Sequence, residues 1–130
     1  MDRWYICSKL SGICRKSTLH HVLKHLGEQG LTKARAREVV TRAQQGLDGT
    51  ETVGYRYECR RGVDRVWVLS AQAEGGATVY YTGAVGLEFV SPERDVAREF
   101  TSSEDAEGIR ARLEKYHHKH GLTFGAREEA

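Results

Sequence analysis

The clearest periodic signal lies between residues 17 and 45. Leu19, Val22, Leu23 and Leu26 are spaced i, i+3, i+4 and i+7, which is one face of a helix. Ser17 or Thr18 supplies a cap and Gly27 a stop, so this pattern predicts a helix to about Leu26. After a turn at Glu28-Gln29-Gly30, Thr32 caps a second predicted helix to about Gln45, with Ala36, Val39, Val40 and Ala43 on one face. Elsewhere the pattern is shorter and β-like. Residues 3–7 are aromatic and β-prone. In residues 55–60, Tyr55, Tyr57 and Cys59 alternate with Arg56, Glu58 and Arg60, the signature of a half-buried strand. Residues 66–69, 78–82 and 87–90 read as further strands, with 66–69 forming a hairpin with 55–60 across Gly62-Val63-Asp64.

Two helices close the chain. Ser91-Pro92-Glu93 is a helix start by its hydroxyl, its proline and its acid, and predicts a short helix to about Phe100. Thr101/Glu104 or Ser102/Asp105 forms a capping box for a longer helix with Ala106, Ile109, Leu113 and Tyr116 as its stripe, stopped at Gly121. The sum is an α+β fold: an antiparallel sheet of about four to five strands, with an N-terminal helix pair and a C-terminal short-plus-long helix pair packed on it. Residues 1–130 read as one domain, with a candidate seam at 46–54 and a frayed tail at 125–130. The stretch from Tyr80 to Leu113, with Ala97-Arg98-Glu99-Phe100 before a capped helix, resembles a packing unit common in small bacterial and phage proteins, and that likeness implies packing and no activity.

Charge changes the picture. Residues 1–45 hold nine Lys/Arg against three acids, net +6; the other 85 hold eleven against fifteen, net −4. A basic region on a near-neutral chain selects a polyanion or an acidic protein as partner. The two basic helices have helix-turn-helix spacing, and Arg15, Lys16, Lys24, Lys33, Arg35, Arg37 and Arg42 are the expected contacts to nucleic acid, a nucleoprotein or another partner. A different reading is a protein inhibitor or adaptor of the kind mobile elements supply against host nucleases or defence complexes, such as an anti-CRISPR-like protein. Its split surface would block a nucleic-acid site.

Cys7, Cys14, His21 and His25 carry the ligand types of a zinc site, a third reading. The helical angle works against it, because His21 and His25 fall opposite the Leu19/Val22/Leu23/Leu26 face. His117, His118 and His120 suit the negative end of the last helix dipole. A metal-free nuclease would draw on His20 or His117 with Glu114 and Arg112, but no spacing selects them. No phosphate-binding glycine loop is present. The reading is therefore a non-enzymatic binding protein without a cofactor. Three cysteines in no dense framework, no signal-like N-terminus and no spanning segment give the expectation of a cytoplasmic protein without a membrane partner.

Overall fold

The computed structural model describes residues 2–129. The chain divides into two compact units, Met1–Val63 and Asp64–Ala130.

The first unit is a three-stranded antiparallel sheet with two helices on one face. Its elements are β1 (Arg3–Ser8), β2 (Cys14–Ser17), α1 (Leu19–Glu28), α2 (Lys33–Gln44) and β3 (Tyr55–Arg60), in sheet order β2-β1-β3. Alternation along the strands decides which side is core. Trp4, Ile6 and Tyr57 point to the helices and meet Val22 and Leu26 of α1 and Ala36, Val39, Val40 and Ala43 of α2. Arg3, Tyr5 and Cys7 alternate to the other face, opposite Arg60, Glu58 and Arg56 of β3. Of the two candidate caps for α1, Thr18 is the one used, its Oγ1 accepting from the His21 N–H at 3.1 Å; α2 begins at the expected Thr32, whose Oγ1 accepts from the Arg35 N–H at 3.2 Å.

The second unit holds β4 (Val66–Gln72), β5 (Thr78–Tyr81), β6 (Val90–Ser91), α3 (Ser103–Lys115), a short α4 (His117–His120) and β7 (Gly125–Glu129). Its antiparallel sheet has the order β6-β5-β4-β7. Leu69, Ala71 and Val79 of the sheet pack with Phe100, Ala106 and Phe124. Ser102 Oγ caps α3 by accepting from the Asp105 N–H at 3.1 Å, and Gly121, at φ 69°, ends α4 in the left-handed region that favours glycine.

The α+β class holds, but the single sheet does not. The described residues form two antiparallel sheets, of three and four strands. The expected hairpin between 55–60 and 66–69 is absent: β3 pairs with β1, and β4 with β5 and β7. The β1–β3 register sets Tyr57 beside Ile6, which buries both under the helices. The expected C-terminal helix pair also fails in its first member. The helical part of residues 91–100 is limited to a 3-10 turn at Arg94–Val96. Beyond it the backbone is extended, because Phe100 exchanges two 2.8 Å hydrogen bonds with Trp67 and the Arg98 N–H donates to the Tyr81 carbonyl. Those sheet bonds replace the helical ones. Residues 125–129, expected to fray, pair with β4 over five positions. No helix among the described residues is long and apolar enough to cross a membrane.

Candidate nucleic-acid interface

The α1–α2 pair is joined by a tight turn. Gly30 takes φ 89°, and the Leu31 N–H returns to the Leu26 carbonyl at 3.2 Å. This turn sets the helices side by side with a cleft of about 420 Å³ between them. Leu23, Leu31 and Ala36 form its apolar floor, and His20, Lys24, Lys33 and Arg37 stand around its rim. Among the described residues, no acidic side chain lines it. Lys24, Lys33 and Arg37 make no ion pair among the described residues.

The seven basic residues expected to act together fall into three groups. Lys24, Lys33 and Arg37 share the cleft. Arg35 and Arg42 lie on another side of α2, where Glu38 takes both: Arg35 Nη1 is 2.8 Å from Glu38 Oε2, and Arg42 Nε is 3.7 Å from Oε1. Arg42 also donates to the Asp48 carbonyl at 3.1 Å. Arg15 and Lys16 are in β2, opposite Ile6 and Tyr5, so they project from opposite faces of the sheet. A periodicity count finds the cations of α2 but not the clamp by Glu38. His20 and Thr32, which line the cleft, were not among the expected contacts; His20 is in the first turn of α1 and Thr32 is the N-cap of α2.

The four expected metal ligands are not brought together. Cys7 and Cys14 are joined in a disulfide, and Cys59 is free. His25 is turned into the sheet, with Nδ1 2.6 Å from the Tyr57 hydroxyl and its ring edge-on to Tyr55. Among the described residues, the potential ligands that do converge are Cys7, Cys14 and Glu58, whose ligating atoms lie within 4.8 Å of one another.

Catalytic groupings fare no better. Burial pushes the Cys59 thiol up, the nearby Asp2 carboxylate adds to this and Arg61 opposes it, so the thiolate a nucleophile needs is disfavoured. In the second unit Glu114 and His117 share a cavity of about 390 Å³ with Arg110, while Arg112 lines a different one with Arg98 and Phe100. Arg110 is taken up by Glu107 and Glu114, at 2.6 and 3.1 Å. His117 Nδ1 donates to the Leu122 carbonyl at 2.9 Å, and His120 is bonded through both ring nitrogens, to the Leu113 carbonyl and the Leu122 N–H. These histidines fasten the end of α4. The chain matches no family model, no curated protein and no solved structure.

Proposed function

We propose that this chain is a small non-enzymatic binding protein that contacts nucleic acid, alone or within a nucleoprotein, through the cleft between α1 and α2. One observation carries the reading: among the described residues, Lys24, Lys33 and Arg37 have no acidic partner and surround a cleft that no acid lines. Three unpaired cations at one concave site concentrate positive potential there, which draws and orients a phosphate backbone. His20 on the same rim adds a further donor.

The test is binding of fluorescent duplex DNA, single-stranded DNA and RNA across a salt series. The expected result is an affinity that falls steeply with salt and is lost in the triple variant Lys24→Glu, Lys33→Glu, Arg37→Glu. Each phosphate contact contributes about 0.7–0.9 to the log–log slope, so the cleft alone accounts for a slope of about two to three. Absence of binding to all three at low salt, or binding unaltered in the triple variant, overturns the reading.

A second reading rests on the cleft floor. Leu23, Leu31 and Ala36 offer apolar area that a sugar-phosphate backbone does not use. An acidic protein segment with one apolar anchor would use both floor and rim, as an inhibitor or adaptor of a protein target would require. An acidic peptide with a central leucine, titrated against the parent and Leu23→Ser, separates the two: peptide binding that weakens in this variant while nucleic-acid binding does not supports the protein target.

A further inference from the structure

We propose that the Cys7–Cys14 pair, when reduced, forms with Glu58 a three-ligand site for a thiophilic divalent cation, zinc being the type case. The register places the three groups. Cys7 of β1 faces Cys14 of β2, and Glu58 of β3 faces Tyr5, two residues along β1 from Cys7. Because side chains alternate, Tyr5, Cys7, Cys14 and Glu58 all project from the sheet face opposite the one that packs on α1 and α2. The site is thus built on three adjacent strands of one sheet, a rigid support.

The distances suit a cation. Both sulfurs and a Glu58 oxygen already lie within 4.8 Å of one another. Tetrahedral zinc, with bonds of about 2.3 Å to sulfur and about 2.0–2.2 Å to oxygen, sets its ligands roughly 3.5–4 Å apart; reduction frees the two bonded sulfurs to separate to that spacing, and the Glu58 oxygen closes by up to about 1 Å. Two sulfur donors select zinc, cadmium or cobalt over magnesium or calcium. Two guanidiniums also face the site. Arg60 Nε holds Glu58 Oε1 at 2.8 Å, whereas Arg56 Nη2 stands 3.9 Å from Oε2 and 3.9 Å from Cys14 Sγ. Oε2 is therefore the loosely held oxygen that turns to the cation. Arg56, half exposed, has room to move aside.

The chemistry balances in two steps. A dithiol reductant gives two electrons to the Cys7–Cys14 bond and becomes a disulfide itself, and its two protons end on the two sulfurs. The cation then displaces those two protons into solvent and gains two metal–sulfur bonds and one metal–oxygen bond, with a fourth position left for water. In the disulfide form neither sulfur is available, so occupancy of the site reports the redox state of the pair. His21 and His25 have no part in this set.

The test uses the whole chain without a polyhistidine tag, reduced under inert gas, freed of reductant and titrated with cobalt(II). The expected result is one cobalt per reduced chain with a thiolate-to-cobalt charge-transfer band, displaced by zinc, and none for the disulfide form. Cys14→Ser abolishes the band, Glu58→Gln weakens binding at least about ten-fold, and Cys59→Ser leaves it in place. The proposal is overturned if the reduced chain takes up no cobalt, if both redox forms bind alike, if Glu58→Gln binds as well as the parent, or if Cys59→Ser removes the band.

Discussion

The Tyr57 hydroxyl lies 2.6 Å from His25 Nδ1 and ties the centre of β3 to α1. Tyr57 is 1% exposed, so the bond sits over the core of the first unit. The tautomer of the neutral imidazole sets which of the two donates. Burial pushes the Tyr57 phenol up to about 12, and burial lowers His25 below its ordinary 6.5, with Glu28 opposing and His21 assisting. Both shifts favour the neutral pair.

A stability profile with two shoulders follows from that pair. Between pH 10 and about 12 the unfolded chain has lost the phenolic proton and the folded chain has kept it, so stability falls as pH rises through this window. Two pKa units correspond to about 2–3 kcal/mol. On the acid side the unfolded chain takes up the His25 proton first, so stability falls as pH drops below 6.5. Urea denaturation at a series of pH values measures both. Tyr57→Phe should cost about 1–2 kcal/mol at neutral pH, by leaving Nδ1 without its hydroxyl partner, and should flatten the alkaline shoulder. An alkaline fall of the same size in that variant would mean another group causes it.

Glu38 acts as a brake on the basic surface. It neutralises Arg35 and Arg42 together, so Glu38→Gln should release both for phosphate contact. Nucleic-acid affinity at low salt should rise, and the log–log salt slope should steepen by about one to two. An unchanged slope would confine binding to the cleft.

Removal of residues 125–130 should be strongly destabilising. It deletes β7, uncovers the edge of β4 and takes away Glu129, which holds Arg94 at 2.7 Å. Arg94 also binds the buried Glu99 at 2.8 Å, so its placement matters to a charge that is out of water. Loss of about 3 kcal/mol or more in a thermal or urea melt is expected. A truncated chain as stable as the parent would show that the strand contributes nothing.

Gly83 should resist substitution. It takes φ 85°, and a Cβ there would meet Arg98 Cδ at 3.0 Å. Gly83→Ala should cost about 1–3 kcal/mol, through left-handed strain and displacement of Arg98 from its place over Phe100. Gly62→Ala, also at positive φ but with open space around it, provides the strain-only comparison.

What the sequence made legible was local. α2 starts at Thr32 as read and α1 at Thr18, one of the two hydroxyls offered, because a capping hydroxyl before an apolar stripe acts within one turn. β2 went unread, since Arg15 and Lys16 on a four-residue edge strand leave no alternation to detect. The partner of β3 was misread because Gly62-Val63-Asp64 permits a hairpin, whereas the choice of β1 rests on residues some fifty positions away. Ser91-Pro92-Glu93 carried a genuine helix signal that backbone bonds from 97–100 to Tyr81 and Trp67 overrode. At the candidate site, composition marked the two helices whose residues line the cleft. Which cations remain free was decided by one carboxylate, Glu38, whose rotamer no spacing rule encodes.

The pairing of β1 with β3 across the intervening helices has a kinetic consequence. The β1–β2 hairpin and the two helices involve neighbours in the chain and can form early and quickly. β1 becomes a central strand only when β3 arrives, and closing that long loop costs entropy before any contact repays it. Acquisition of the core around Trp4, Ile6 and Tyr57 is thus the slow event in this unit, and substitutions at the β1–β3 seam should change the rate of folding more than those in either helix.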